Sequence, residues 1–310
     1  MVTTAQDLLA AQSARLAALD PELPPEFPLP TGEPLMARLD TGEPVAGLVL
    51  CSDNPPGSVR RLWQAATAVE LFPLVGEQPR RGMDAVLAAC RQWISARGIP
   101  EADSSCAVVW PSRDVQATRA LLEHGFVPLS CLAVRAPSPP EDTELSGTVN
   151  VRRAGPADVD AVVDLGLVEL DYAALVGGST NRPDAARLKR AAATVRLHAG
   201  DPVWLAERGG EAIGVAECGW VDGPLSTGGN RLRPGTWGYV NCVSVRENAR
   251  GAGVGQRLMA EAHAEFARAG VTGCFLYYNP PNPLSSVFWP RQGYRPLWTT
   301  WEVRPATALR

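Results

Sequence analysis

The sequence has little of the chemistry that binds metals or nucleic acids. Lys189 is the only lysine, there are only three histidines, and no two of the seven cysteines lie close together. This cysteine pattern provides neither the ligand spacing of a zinc site nor a disulfide framework, and it favours a reducing cytoplasm. The formal net charge of −4 argues against a general binder of nucleic acids or membrane surfaces. We therefore expect a cytoplasmic protein without a metal site.

The sequence also lacks a long apolar run. None approaches the ~18–20 residues of a membrane span. Residues 1–20 form an amphipathic pattern, interrupted by Asp7, Arg15 and Asp20, rather than a signal peptide. With 45% hydrophobic residues, a chain of 310 residues can build the cores of two globular domains. The composition thus predicts two globular domains and no membrane association.

A glycine-rich turn joins a predicted strand to a predicted helix in the second half of the chain. Residues 237–245 are aromatic and β-branched, as in a strand, and apolar residues recur at helical spacing over 258–266. The turn is therefore a helix N-terminus, whose free N–H groups and positive dipole end attract an anion. Gly251, Gly253 and Gly255 have no side chains that would keep a phosphate away.

The spacing of this turn separates three kinds of glycine motif. A dinucleotide fingerprint needs a third glycine at Gln256 or Leu258, and a P-loop needs Gly-Lys-Ser/Thr, so neither fits. The pattern that fits is Arg-x-x-Gly-x-Gly at Arg250, Gly253 and Gly255. A turn that only caps a helix would show the same glycines, so the interpretation depends on a second motif.

The second motif follows the apolar predicted strand 274–278. It runs from Asn282 to Tyr294 and fits Asn-x-x-Ala-x-x-x-Tyr-x-x-x-Gly-Phe, with Ser285 for Ala, Trp289 for Tyr and Tyr294 for Phe. Together the two motifs resemble the GCN5-related N-acetyltransferase (GNAT) family. In that family the first motif binds the pyrophosphate of acetyl-CoA, and the second lies on a helix beside the pantetheine arm.

The resemblance implies acetyl-CoA as the co-substrate and assigns most of the candidate site. The residues that it places at the coenzyme are Val243, Ser244, Val245, Arg250, Gly251, Ala252, Gly253, Val254, Gly255, Gln256, Asn282, Ser285, Ser286 and Trp289.

The resemblance also puts Glu217 and Asn241 near the central cleft, as candidate catalytic residues. Glu217 is either the general base or an outward-facing strand residue. Trp289 stands where many family members have a tyrosine that is proposed to protonate the leaving thiolate, and an indole N–H does not ionise usefully. Direct transfer between two bound substrates needs no nucleophilic residue, so Cys242 is interpreted as a small apolar strand residue.

Predicted helical segments over 168–200 correspond to the part of the family fold that covers the acceptor. They contain Glu169, Asp171, Tyr172 and Asp184. The three carboxylates would suit a cationic amine, and a solvated helix face is the alternative for each of them.

The first half of the chain repeats the second motif. The spacing from Asp114 through Gly125 equals that from Asn282 through Gly293, and the predicted strands and helices around it follow the same order. The coenzyme turn is not repeated. When Gly82 is aligned with the middle glycine of the turn, Pro79 replaces the arginine and Asp84 replaces the last glycine, which opposes phosphate binding.

We therefore predict an α/β (α+β) fold class with two tandem GNAT-like domains, each a mixed, mostly antiparallel sheet flanked by helices. A degenerate copy covers residues 1–135, a proline-rich linker 136–147, and an acetyl-CoA-binding domain 148–310. This tandem arrangement is similar to that of the mycothiol synthases.

The expected function is transfer of an acetyl group from acetyl-CoA to an amine of a small molecule, in a direct ternary complex. A non-catalytic acyl-CoA-binding sensor or interaction protein is the alternative. A purely structural pair of domains is disfavoured by the intact phosphate turn. No nucleic-acid or membrane partner is expected, and a homodimer is possible.

Overall fold

The structure, a computed structural model, describes residues 5–25, 29–137, 149–223 and 231–310. These ranges contain seven α-helices and eleven β-strands, and most neighbouring strands are antiparallel. The predicted α/β class is therefore confirmed. No helix in these ranges is both long and apolar enough to cross a membrane. The predicted linker, 136–147, lies outside the described residues except for its first two.

The helices are α1 (Ala5–Leu19), α2 (Pro79–Arg97), α3 (Val115–Glu123), α4 (Val159–Leu175), α5 (Ala185–Ala199), α6 (Val254–Arg268) and α7 (Ser285–Arg291). The strands are β1 (Glu33–Arg38), β2 (Pro44–Asp53), β3 (Thr67–Leu74), β4 (Ser104–Pro111), β5 (Val127–Arg135), β6 (Asn150–Arg153), β7 (Val203–Arg208), β8 (Glu211–Asp222), β9 (Thr236–Val245), β10 (Gly273–Tyr278) and β11 (Arg295–Val303).

The chain divides into two compact units that are not continuous in sequence. Unit 1 consists of Met1–Leu132, Gly223–Pro234 and Pro296–Arg310, and unit 2 consists of Ala133–Asp222 and Gly235–Arg295. Nearly all of β11, the last strand of the chain, therefore belongs to unit 1. The sequence predicted two continuous halves, 1–135 and 148–310, and did not predict that β11 belongs to unit 1.

Unit 1 contains an antiparallel meander of β1, β2 and β3, with β4 parallel to β3. The other edge of β4 pairs antiparallel with β11. Helix α2 packs on this sheet through Met83, Val86, Leu87 and Cys90, which are fully buried at the i, i+3, i+4, i+7 spacing of one helical face. The apolar stripe of α2 thus builds the core of unit 1.

Unit 2 contains the antiparallel strands β6 to β9, with β10 parallel to β9. Gly209 and Gly210 turn the β7–β8 hairpin, with φ of +59° and +83°. Two positive φ angles are typical of a type I′ turn, which only glycine and a few polar residues adopt readily. Leu258 and Phe266 of α6 are buried in one core of this sheet, and α4 and α5 contribute to another.

The two units share the order of their elements. Each has a hairpin, a third strand, a helix, a strand parallel to the third, and a short helix. A glycine of positive φ follows two residues after the end of this short helix, Gly125 at +91° or Gly293 at +81°. Asp114 accepts a hydrogen bond from a backbone N–H at the start of α3, and Asn282 does the same for α7. The first residue of the repeated motif therefore caps a short helix in both units.

The sequence alignment of the two turns does not match the start of α2. Helix α2 begins at Pro79, so Gly82 and Asp84, which were aligned with the glycine-rich turn, lie inside the helix. Proline is favoured in the first turn of a helix because a backbone N–H at that position would have no partner within the helix. A Cβ on Gly82 would lie 1.9 Å from the carbonyl O of Val75, so this glycine permits close contact between α2 and the residue that follows β3.

Candidate functional site

The candidate site of unit 2 begins where two parallel strands separate. The pairing of β9 with β10 extends as far as Val240 opposite Leu276. Beyond this pair β9 continues to Val245 and β10 to Tyr278. Residues of both strands then line a cavity of about 590 Å³. Strands that separate in this way turn backbone N–H and C=O groups toward whatever occupies the opening.

The glycine-rich turn forms part of the same cavity wall. Gly251 and Gly253 have φ of +78° and +75°, a left-handed backbone that glycine adopts without strain. Helix α6 begins immediately afterwards, at Val254. The first N–H groups of a helix have no partner within it, and they lie at the positive end of its dipole. The turn that the sequence predicts to bind an anion therefore lies at the cavity.

Arg250 lines the cavity beside this turn. Its Nε donates to the carbonyl O of Val245 at 3.1 Å, and its guanidinium carbon lies 5.4 Å from the ring centroid of Tyr172 on α4. The cation is thus held next to the open helix end by a backbone acceptor and an aromatic face.

Helix α7 provides a further part of the wall through a fixed turn. Asn282 Oδ1 accepts from the first backbone N–H groups of the helix. Ser285 Oγ donates to the carbonyl O of Asn279 at 3.3 Å, and Ser286 Oγ donates to that of Pro280 at 2.6 Å. The hydrogen bonds of these three polar side chains fix the backbone of the turn before α7.

Trp289 is a rigid part of the wall. It is 7% exposed, and its ring lies edge-on to Phe288 at 4.8 Å and to Tyr294 at 5.5 Å. Of the fourteen residues predicted at the coenzyme, the cavity lining contains all except Ala252 and Ser286. Sequence reasoning did not find that Phe288, Tyr277, Tyr278 and Asn279 line it too.

Asn241, a predicted catalytic residue, lines the cavity from a β-bulge. Glu217 pairs with Cys242 but the next residue, Cys218, pairs with Val240, which leaves Asn241 as an extra residue in β9. The hydroxyl of Tyr239 donates to Asn241 Oδ1 at 3.1 Å. The bulge lies directly after the last parallel pair, so it contributes to the opening of the strands.

Glu217, the other predicted catalytic residue, is not placed on the cavity wall. It is 5% exposed, and its Oε2 lies 3.6 Å from Nε of Arg196. The cavity lining does not include it. Its side chain lies instead beside Arg196 of α5 and packs against Gly166 of α4.

Of the three acidic residues predicted around the acceptor, Glu169 alone lines the cavity. Asp171 is exposed, and Asp184 pairs with Arg187 at 3.1 Å. Burial raises the pKa of the Glu169 carboxyl; the Lys189 ammonium opposes this and Glu217 adds to it, and the pKa is raised overall. Lys189 was not recognised from the sequence as part of the site, although its being the only lysine was a signal.

Two further groups beside the site are uncharged at neutral pH. Burial raises the pKa of the Cys242 thiol well above its usual range, which removes the thiolate that a nucleophile needs. Burial, helped by the charge of Arg135, lowers the pKa of His263 to about 3, and its Nε2 lies 2.9 Å from the hydroxyl of Tyr294. His263 is therefore a packing residue.

In unit 1, a side chain of helix α1 bonds to the strand edge that corresponds to the opening of unit 2. The pairing of β3 with β4 extends as far as Leu71 opposite Val108, and helix α1 packs beside β3 beyond that point. The side-chain amide of Gln12 on α1 donates to the carbonyl O of Pro73 and accepts from the N–H of Val75, both at 3.0 Å. One side chain thus pairs with the edge of β3 as an added strand would.

The turn of unit 1 is also shorter than that of unit 2. Only residues 75–78 separate β3 from α2, whereas 246–253 separate β9 from α6. Asp84, aligned with Gly255 from the sequence, lies 2.7 Å from Nε2 of His124. The shorter turn lacks the glycine-rich loop in front of the helix.

Comparison with known proteins gives a match within the second half of the chain. Residues 173–294 match the model of the acetyltransferase (GNAT) family. No curated protein sequence matches the chain.

Solved structures extend the likeness of fold to nearly the whole chain. A GCN5-related N-acetyltransferase from Sphaerobacter thermophilus matches with a TM-score of 0.59 and 19% identity, over 96% of this chain and 90% of its own. A GCN5-related N-acetyltransferase from Ralstonia eutropha (22% identity, TM-score 0.39, 48% of this chain and 93% of its own) is also similar. A predicted acetyltransferase with acetyl-CoA from Clostridium acetobutylicum is similar too, with 18% identity and a TM-score of 0.38 over 47% of this chain and 90% of its own.

Proposed function

We propose that unit 2 binds acetyl-CoA in the cavity and transfers its acetyl group to an amine of a small molecule. The observation that carries the proposal is the strand opening beyond Val240 and Leu276, which leads to a glycine-rich helix N-terminus in the same cavity. Coenzyme A has an anionic pyrophosphate at one end of a long arm and a thioester at the other. The cavity offers a matching site for each.

The turn is suited to the pyrophosphate. The free N–H groups of α6, the glycines before it and Arg250 together provide hydrogen-bond donors and positive charge. Removing the glycines' conformational freedom or adding a negative charge there would oppose binding.

The open edge of β9 is suited to the pantetheine arm and the thioester. The amides of the pantetheine arm can pair with β9 as an added strand does. Backbone N–H groups at Val243 or Val245, both in the cavity wall, would bind the thioester oxygen as negative charge develops. In other enzymes one such donor contributes about 2.7–4 kcal/mol to the transition state.

The proposed reaction is a direct transfer. A neutral amine nitrogen attacks the thioester carbon, the C–S bond breaks, and coenzyme A leaves as a thiolate that takes up a proton. With a thiol pKa of about 8.5, water or the attacking ammonium can supply this proton, so Trp289 need not act as an acid. The neutral state of Cys242 supports a mechanism without an acetyl-enzyme.

Unit 1 is proposed to bind no coenzyme. Gln12 already pairs with the edge of β3, and the turn before α2 has no glycine-rich loop. The full chain would then bind one acetyl-CoA.

A second candidate function is a sensor that binds acyl-CoA without turnover. The buried Trp289 in place of an ionisable tyrosine favours it. Release of free coenzyme A thiol, measured over a panel of primary amines with the full chain, separates the two. Amine-dependent release supports the enzyme, whereas coenzyme binding without release for any amine supports the sensor.

A further inference from the structure

A row of charged side chains leads from the cavity wall into unit 2. Glu169 lines the cavity, and its Oε2 lies 4.0 Å from Nζ of Lys189. The next members are Glu217 and Arg196, whose Oε2 and Nε are 3.6 Å apart, and then Asp201, 3.5 Å from Arg196 Nη1. The charges alternate in sign along the row, which ends at the partly exposed Asp201.

A glycine on α4 makes space for this row. A Cβ on Gly166 would lie 3.4 Å from Glu217 Oε1 and 3.8 Å from Lys189 Nζ. Both charged groups therefore pack against the bare backbone of α4, one turn before Glu169. This brings the ammonium of Lys189 between two carboxylates, each on a different element.

Glu169 lines the same cavity as the residues of the strand opening. Tyr172, one helical turn further along α4, lines the cavity as well, as do Asn241 and Cys242 of β9. Glu169 is the one carboxylate among the described residues of the lining. An amine that approaches a thioester held at the bulge of β9 would meet this carboxylate and no other from the wall.

The environment of Glu169 shifts its pKa in the direction that favours a general base. Burial raises its pKa above that of an ordinary carboxyl while Lys189 limits the rise, and a base is most effective when its pKa is close to the working pH. Burial alone would lower the pKa of Lys189, but the neighbouring carboxylates of Glu217 and Glu169 oppose this and the pKa is raised overall, so Lys189 stays an ammonium.

We propose that Glu169 binds the ammonium form of the acceptor and takes its proton, with Lys189 as the positioning residue behind it. The inference rests on the function proposed above and names its acceptor class, a compound with a cationic primary amine. The proton moves from the ammonium nitrogen to the Glu169 carboxylate. The neutral nitrogen then attacks the thioester carbon, the C–S bond breaks, and the nitrogen loses a second proton. One of these two protons goes to the coenzyme A thiolate and the other to water.

The first test uses Glu169→Gln in the full chain, with thiol release measured for the amine that gives the fastest wild-type rate. We expect kcat/KM to fall by about 10²- to 10⁴-fold, the range for a lost general base. Acetyl-CoA affinity and the unfolding midpoint should stay close to wild type. The matched control is Asp164→Asn, which removes an exposed carboxylate of the same helix and should leave kcat/KM unchanged.

The second test is the pH profile of kcat/KM for Lys189→Met and Lys189→Arg. Because the Lys189 ammonium lowers the pKa of Glu169, its loss should move the acidic limb to higher pH, and arginine should largely prevent the shift. The charged or titratable groups around Glu169 are Lys189 of α5, Glu217 of β8, Cys242 of β9, and Tyr172 of α4 with Arg250 over its ring.

The outcomes separate the two proposals. Thiol release that Glu169→Gln leaves intact overturns the role of Glu169 while the acetyltransferase proposal stands. An acidic limb that Lys189→Met does not move overturns the role of Lys189. Absence of thiol release from the wild-type chain with every amine overturns the transferase proposal and this inference with it.

Discussion

Val240 lies opposite Leu276 in the last parallel pair of β9 and β10, and beyond this pair the two strands line one cavity. The bulge at Asn241 follows immediately. The strand opening, the glycine-rich turn and α7 all contribute to this cavity, which is why we place the coenzyme there.

Gly253→Asp should abolish acetyl-CoA binding. The residue has φ of +75° at the start of α6, and aspartate adds a carboxylate where the pyrophosphate is expected. Affinity measured by calorimetry should fall at least 100-fold. Gly270→Asp is the control, because Gly270 also has positive φ (+66°) and open space around it but does not line the cavity. Equal losses in both variants would show that backbone strain, not charge, is responsible.

Trp289→Phe should keep most of the turnover, and Trp289→Ala should weaken coenzyme binding more than it slows the chemical step. The ring is buried between Phe288 and Tyr294, so truncation leaves a cavity in the wall. Replacing a large buried aromatic residue by alanine costs about 3–5 kcal/mol of stability, which thermal unfolding would detect. If Trp289→Tyr raised turnover by orders of magnitude, the site would lack an acid and the sensor function would be favoured.

Gln12→Ala should destabilise the chain without creating a second coenzyme site. It leaves the carbonyl O of Pro73 and the N–H of Val75 without their side-chain partner. An unsatisfied buried polar group costs about 1–3 kcal/mol. Urea unfolding should show the loss, whereas Gln6→Ala, at an exposed position of the same helix, should not. Equal stability of the two variants would mean that the pairing contributes little.

The sequence motifs predicted the second half better than the domain architecture. Arg250, Gly253 and the helix after them could be recognised because an anion site at a helix N-terminus depends on local spacing. The pairing of Gln12 with β3 joins residues far apart in the chain, and no local pattern reports it. The same is true of β11, which pairs with β4 in unit 1, and of Lys189, whose importance depends on Glu169 and Glu217.

A fragment starting near residue 148 should be poorly soluble or inactive. It keeps β11 but lacks β4, the strand with which Trp298–Val303 pair. An unpaired strand edge promotes aggregation. Soluble yield and size-exclusion chromatography would measure the effect, and co-expression of a fragment of residues 1–137 should restore a soluble complex. A monomeric, fully active fragment would contradict the importance of this pairing.

Stability should decrease on acidification because of His263. Its pKa of about 3 in the folded chain lies below the unfolded value of about 6.5, so the unfolded state binds more protons between these values. The contribution is complete above pH 6.5 and is lost toward pH 3, with a slope of at most about 1.4 kcal/mol per pH unit. His263→Gln should flatten the pH dependence of the unfolding free energy, and His198→Gln, an exposed histidine of α5, should not. An unchanged slope in His263→Gln would contradict this origin.

Calorimetric titration of the full chain with acetyl-CoA tests the proposed coenzyme site most sharply. We expect one site per chain, lost in Gly253→Asp and kept in Gly270→Asp. Two equal sites, or binding that persists in Gly253→Asp, would contradict it.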